Sequence, residues 1–247
     1  MIFYCISLPE EVARRAHILK QFSQHQLEIT LFDAIKPDEN TAPKIYQQKK
    51  RLQLYGRDLS RGEMGCYLSH RALWELFLST DAAHCCILED DVELAEQFSE
   101  VIDNLLEKQS SWDLVRLAGT FPRKGKTIAQ IKAGEYQLLE YLEQPRGTLG
   151  YVINRAAAQA LLEHTARMIH AIDDTMDQIW SHKLRTYGLE PFIVKESAQF
   201  ISSIGCRKRP QMSLLAKMRK ELFKSNNSLR KKIWQYKTLL RWKFILR

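Results

Sequence analysis

Apolar and polar positions along the first 200 residues fall into blocks that switch between a two-residue and a helical period. Ile2 to Leu8 is a short run of strand formers, and beyond Pro9, Glu10 and Glu11 the positions Val12, Ala16, Leu19, Phe22 and Ser23 follow helical spacing. This predicts a strand feeding a helix. A second strand is expected from Leu27 to Phe32, ending at Asp33. A helix is expected from Glu63 to Leu78, with Met64, Leu68, Ala72, Leu73, Leu76 and Phe77 spaced around its turns. Cys85 to Leu88 reads as a strand, Glu93 to Glu107 as a helix and Trp112 to Leu117 as another strand. Strands alternating with helices predict an α/β fold on a mainly parallel sheet covered on both faces. In such sheets ligands sit beyond the carboxyl ends of the strands. The polar stretch 37–61 reads as a surface segment, with short helices or a lid function, and Gly119 to Lys126 and Glu143 to Thr148 read as further loops.

Composition adds that the fold has a proper core. Of 247 residues, 45% are apolar and 27% charged, with only 10 Gly and 7 Pro, which excludes collagenous, low-complexity and wholly disordered chains. The five cysteines (Cys5, Cys66, Cys85, Cys86, Cys206) form an odd set without a CxxC pair, so buried thiols in a reducing compartment are expected rather than disulfides or zinc. The opening apolar run is too short, and lacks the basic lead, for a signal peptide. Nowhere do eighteen apolar residues run uninterrupted, so a cytoplasmic location without a membrane span is expected.

Charge divides the chain in two. Residues 207–247 hold 14 of the 37 Lys and Arg and one acid, Glu221, for a net +13, whereas residues 1–206 carry net −5. The boundary falls near Gly205 and Pro210, so a catalytic body (1–206) and a basic tail (207–247) are expected. In the tail Leu229, Ile233, Tyr236, Leu239, Leu240, Trp242 and Phe244 recur at roughly helical spacing among the cations, with Asn226, Asn227 and Ser228 reading as a break and a new N-cap. A basic amphipathic helix bearing Trp and Phe suits an anionic membrane surface, on which it would lie in plane. Two alternatives are an apolar stripe packed on the body and non-specific phosphate binding, though no nucleic-acid reader motif accompanies it.

The densest chemistry is Glu89-Asp90-Asp91, three carboxylates where an apolar strand ends. Hard oxygen ligands at this density suit Mg²⁺ or Mn²⁺ bridging to substrate phosphates, and acids solvated or capping the next helix are the plain alternative. Strand alternation puts Glu89 and Asp91 on one side and Asp90 on the other. That gives the metal to Asp91 first, with Glu89, and leaves Asp90 or Glu89 for sugar or ribose hydroxyls. Ile172-Asp173-Asp174-Thr175-Met176-Asp177 is a second acidic cluster, in which helical geometry would bring Asp173 and Asp174 to one face with Asp177. His70, Trp74 and Tyr151 read more readily as packing residues than as catalytic ones.

The run Leu59-Ser60-Arg61-Gly62-Glu63-Met64-Gly65-Cys66-Tyr67-Leu68-Ser69-His70, with Trp74 and then Leu88-Glu89-Asp90-Asp91, resembles glycosyltransferase family 25, which includes bacterial lipooligosaccharide galactosyltransferases and collagen-modifying relatives. The resemblance extends to Ile6-Ser7-Leu8 with Arg14-Arg15, to Phe32-Asp33-Ala34, to Gly147-Thr148-Leu149-Gly150-Tyr151-Val152-Ile153 before a helix Ala156 to Leu162, and to Ile172-Asp173, about residues 1 to 204 in all. Ser7 stands where the family usually has Asn. The resemblance implies a GT-A-like, Rossmann-type fold and an inverting, metal-dependent hexosyltransferase. Its donor would be a UDP-sugar, foremost UDP-galactose, and its acceptor a lipid-linked oligosaccharide at the cytoplasmic face of the inner membrane. Ser7, Arg14, Asp33, Ala34, Glu89 and Asp90 are then expected at the donor, with Mn²⁺ or Mg²⁺ on Asp91 and Glu89. Inversion by single displacement needs a base distinct from the metal ligands. Asp173 is the first choice, with Asp177 and Glu63 as rivals. A non-catalytic homologue that uses the tail for binding or scaffolding is the competing reading.

Overall fold

The structure, a computed structural model, describes residues 1–38, 41–121, 123–131, 135–200 and 214–244. The expected boundary near Gly205 and Pro210 lies outside the described residues, as does Cys206. β1 (Ile2–Ser7) leads through α1 (Val12–Gln24) to β2 (Thr30–Asp33). α2 (Gln48–Tyr55) and α3 (Arg61–Leu78) follow, then β3 (His84–Glu89), β4 (Val92–Leu94), α4 (Phe98–Glu107) and β5 (Leu114–Arg116). An antiparallel pair, β6 (Gly125–Ile131) and β7 (Tyr136–Tyr141), precedes β8 (Gly150–Asn154), α5 (Arg155–His164), α6 (Ile172–Met176) and α7 (Ile179–His182). β9 (Thr186–Glu190), β10 (Val194–Glu196) and the long α8 (Leu214–Phe244) complete the chain.

Eight strands form one sheet in the order β2-β1-β3-β8-β5-β9-β7-β6. Only β7 and β8 run against the common direction, so the sheet is the mainly parallel one expected. Side-chain alternation sorts the core into two layers. Phe3, Cys5, Cys86, Leu88 and Val152 face Ile18 and Phe22 of α1 and Phe98, Val101 and Leu105 of α4. Tyr4, Ile6, Cys85, Ile87, Tyr151 and Ile153 face Tyr67, Leu73, Trp74 and Phe77 of α3 and Ala157 and Leu161 of α5. Burial on both faces explains why these central strands read as unbroken apolar runs.

Several expected boundaries move. Glu93 and Leu94, expected to start a helix, instead belong to β4, because Val92 and Leu94 pair with Glu196 and Val194 about a hundred positions downstream. The helix begins at Phe98. The loop expected to Lys126 already belongs to β6 at Gly125, and Leu27 to Ile29 lie outside β2. Asn226, Asn227 and Ser228 do not break the tail helix. Each costs only about half a kcal/mol relative to Ala in a helix interior, which neighbouring Leu, Lys and Arg sustain.

The C-terminal half of α8 docks on the body, where α2 and α7 also meet it. Gln235 Nε2 donates to Leu142 O (2.9 Å), Lys126 Nζ to Trp242 O (2.7 Å) and Trp242 Nε1 to Glu140 Oε2 (2.6 Å). Arg241 pairs with Glu140, and Lys231 pairs with Glu143 at 2.7 Å. Thus part of the tail's positive charge is matched by acids of the body. Leu229, Ile233, Tyr236 and Leu240, at positions i, i+4, i+7 and i+11, remain exposed on the helix. No described helix is long and apolar enough to cross a membrane.

Candidate active site

β1 lies between β2 and β3, so consecutive connections leave it on opposite sides and a crevice opens at the carboxyl ends of β1 and β3. A cavity of about 640 Å³ occupies this place. It is lined by Ser7 and Arg14, by Ala34 to Asp38, by Arg61, Gly65 and Cys66 of α3, and by Glu89, Asp90 and Asp91. Its far wall depends on a close approach: a Cβ on Gly65 would stand 2.5 Å from Ile35 O. Ser69 Oγ seals the same contact by accepting from Ile35 N (2.8 Å) while donating to Gly65 O (2.8 Å).

Strand alternation does not survive through the acids. β3 ends at Glu89 and Asp90-Asp91 form a turn, so all three carboxylates line one cavity instead of dividing between two faces. Ser7 Oγ donates to Asp90 Oδ2 (2.6 Å), and Arg14 Nη1 reaches Asp90 Oδ1 (3.0 Å) and Asp91 Oδ2 (3.2 Å). From the other side Ser197 N donates to Asp91 O (2.7 Å), which pins the turn. Burial holds the Asp91 carboxyl above its ordinary range although Arg14 opposes the shift, and Asp91 Oδ1 is buried without a hydrogen-bond partner among the described residues. Glu89 is pushed up to about 7, chiefly by burial. Thr148 Oγ1, donating at 2.5 Å, counters that rise, and the charges of Asp91, Asp90 and Asp173 add to it.

Asp33 and Ala34 follow at the end of β2. Arg15 Nη2 bonds Asp33 Oδ1 (2.6 Å) and Ser7 O (2.7 Å), while Ala34 N donates to Ser7 O (2.9 Å). Residues 7, 14, 33, 34, 89, 90 and 91, all expected at the donor, are therefore neighbours around one strand end.

The three candidate bases have different surroundings. Glu63 is buried at the start of α3 in a reciprocal cap, accepting from Ser60 N (2.8 Å) while Ser60 Oγ accepts from Glu63 N (3.1 Å), and Arg57 pairs with its carboxylate at 3.1 and 3.2 Å. Asp177 ends α6 and accepts from Arg116 Nη2 at 2.5 Å. Burial raises it to about 6, with Arg116 opposing and Asp173 adding to the rise. Asp173, in the first turn of α6 and half-buried, accepts from Asp174 N (2.8 Å). Its charge acts on Glu89, Cys66 and Asp177, although Asp173 is not among the residues lining the crevice.

His70, Trp74 and Tyr151 are fully buried and bonded to one another: Tyr151 Oη meets His70 Nδ1 (2.7 Å) and accepts from Trp74 Nε1 (3.0 Å). This is the packing arrangement read from the sequence. His70 also stands with Cys66 and Glu89, their ligand atoms all within 4.8 Å. That mixed sulfur, nitrogen and oxygen set is softer than the carboxylate set of Glu89 and Asp91. Arg15, Ser69 and Thr148 fell within the quoted motifs without a role of their own, and Arg116 carried no signal, because each acts through a partner distant in sequence, 61 positions away for Arg116.

Comparison with known proteins gives the family. The family model described as "Glycosyltransferase family 25 (LPS biosynthesis protein)" matches residues 1–176. The lipooligosaccharide biosynthesis protein lic2B of Haemophilus influenzae is 33% identical over 211 residues, covering 80% of this chain and 77% of that protein. The lacto-N-neotetraose biosynthesis glycosyltransferase LgtE of Neisseria gonorrhoeae is 28% identical over 216 residues, covering 81% and 76%. Procollagen galactosyltransferase 2 of Homo sapiens is 24% identical over 220 residues, 77% of this chain but 34% of that longer protein. Matched by this family's model over residues 1–176, most of its length, the chain belongs to glycosyltransferase family 25.

Proposed function

We propose that the chain transfers a hexose, galactose foremost, from a UDP-sugar to a lipooligosaccharide or lipopolysaccharide acceptor, with inversion at the anomeric carbon. The observation that carries this reading is the meeting of Glu89, Asp90, Asp91, Ser7 and Arg14 in one crevice at the ends of β1 and β3. The relatives named for lipooligosaccharide and lacto-N-neotetraose biosynthesis support the acceptor class.

Glu89 and Asp91 would hold Mn²⁺ or Mg²⁺. Both are hard oxygen donors, and Asp91 Oδ1, buried and without a partner among the described residues, is the kind of atom a cation would satisfy. Bound there, the metal would offset charge on the departing diphosphate as a Lewis acid. Ser7 and Arg14 orient Asp90 toward the hydroxyls of the donor, and Arg15 holds Asp33 beside Ala34 at the nucleoside end of the crevice. Asp173 is assigned as the base: it takes the proton of the acceptor hydroxyl as that oxygen bonds to the anomeric carbon and the bond to UDP breaks on the opposite face. Its rivals are bonded to cations, Asp177 to Arg116 and Glu63 to Arg57, which favours Asp173. The exposed stripe of Leu229, Ile233, Tyr236 and Leu240 among Lys and Arg is assigned to the anionic surface of the inner membrane's cytoplasmic face, where a lipid-linked acceptor would be met.

The test is a screen of UDP-sugars with and without Mn²⁺, using short oligosaccharide acceptors and measuring released nucleotide. Metal-dependent UDP release, greatest from UDP-galactose, is expected. No release from any UDP-sugar in the presence of metal and acceptor would overturn the proposal.

A further inference from the structure

A second cavity, of about 170 Å³, is lined by Gln144, Arg146, Asp177, Trp180, Lys231 and Trp234 among others. One loop serves this cavity and the donor crevice. Thr148 holds Glu89 in the donor crevice, and four positions earlier Gln144 lines the second cavity.

Gln144 is only 6% exposed, yet neither its amide nitrogen nor its oxygen has a hydrogen-bond partner among the described residues. Trp180 Nε1 is buried and unpartnered in the same way. Buried polar atoms in folded proteins are nearly always bonded, so three such atoms on two side chains around one cavity mark the place of a ligand. An amide that offers a donor and an acceptor side by side matches adjacent hydroxyls. The half-buried rings of Trp180 and Trp234 offer apolar faces to the carbon-bound hydrogens of a pyranose. The cavity's charges are largely matched internally, Lys231 by Glu143 at 2.7 Å, Arg123 by Glu143 at 3.5 Å and Asp177 by Arg116 at 2.5 Å. A neutral ligand therefore fits better than a phosphate.

We infer that this cavity is the subsite for one neutral hexopyranose of the acceptor, and that α8 completes it through Lys231 and Trp234. The role as an acceptor subsite rests on the transferase reading above, whereas saccharide binding itself does not. Asp177 lines this cavity at the end of the short helix whose first turn carries Asp173, and the tail helix that offers an apolar basic face outward also walls the pocket that receives the acceptor.

The experiment uses the full chain and free methyl β-D-galactopyranoside and methyl β-D-glucopyranoside. Saturation-transfer NMR from protein to sugar is recorded for the unaltered chain, for Gln144→Met and for Trp234→Leu, with folding checked by circular dichroism. A sugar signal is expected in the unaltered chain and its loss in either folded variant. In transfer assays the same variants should raise the acceptor KM by about tenfold or more, the effect of losing a pair of neutral hydrogen bonds. A signal absent from the unaltered chain, or equally strong in a folded variant, would overturn the inference. A Gln144-dependent signal in a chain that turns over no UDP-sugar would instead sink the transferase reading and leave the saccharide site standing.

Discussion

Arg116 is fully buried on β5, donating to Asp177 Oδ1 at 2.5 Å and to Gly147 O. Replacing it with Met keeps much of the stem and removes the charge. Asp177 already sits at about 6 against an ordinary 3.8, so at neutral pH its ionised form costs the fold about 3 kcal/mol even with Arg116 present. Without the guanidinium its pKa rises further, and breaking a buried pair by removing one partner typically costs about 3–5 kcal/mol. The sign with pH follows from linkage. A carboxyl whose folded pKa is raised contributes no penalty below its unfolded pKa and loses stability as pH rises toward the folded value. The extra cost of Arg116→Met should therefore be smallest near about pH 5.5, where Asp177 is protonated in both folded proteins, and grow toward about pH 8. Urea unfolding followed by tryptophan fluorescence at the two pH values measures this difference. A cost below about 1 kcal/mol, or one independent of pH, would refute the reasoning.

Gly65→Ala places a methyl 2.5 Å from Ile35 O, so α3 must shift from residues 35–37. A stability loss of about 1–3 kcal/mol with weaker UDP binding by calorimetry is expected, and an unchanged Tm and Kd would contradict it. His70 is held neutral by burial, its pKa pushed down to about 3. As pH falls from its unfolded value near 6.5, this group removes about 1.4 kcal/mol of stability per pH unit, so the advantage of the unaltered chain over His70→Gln should shrink by about 3 kcal/mol across two units. A gap constant with pH would show the imidazole titrating normally. Ile233→Gln with Tyr236→Gln alters exposed positions of α8, so Tm should barely move while co-sedimentation with anionic vesicles is lost. High salt should weaken the unaltered chain's binding only in part, and vesicle binding equal in both proteins would remove this face from the membrane.

The sequence was most legible where chemistry and periodicity coincide. Central strands β1 and β3 announced themselves as apolar runs because helices cover both their faces, and the acids at the end of β3 were conspicuous for the same reason. What alternation missed was the turn at Asp90-Asp91, which gathers three carboxylates into one cavity through contacts with Ser7 and Arg14 about eighty positions earlier. The short strands β4 and β10 depend on each other across about a hundred positions rather than on local propensity, so residues 93 and 94 looked like the start of a helix. Glu63 illustrates the opposite difficulty. An acid between two glycines in a family motif invites a catalytic reading, while the same spacing from Ser60 is that of a helix cap. The tail's amphipathic pattern was plain, but that one side would meet Glu140 and Glu143 depended on the body's surface.

The central claim, that Glu89 and Asp91 hold a divalent cation at the donor's diphosphate, is tested most directly by electron paramagnetic resonance of Mn²⁺ added to the chain with UDP. The account expects free Mn²⁺ to fall when UDP and the unaltered chain are both present, and to remain at the level set by UDP alone with Asp91→Asn. Mn²⁺ captured equally by folded Asp91→Asn and the unaltered chain would contradict it.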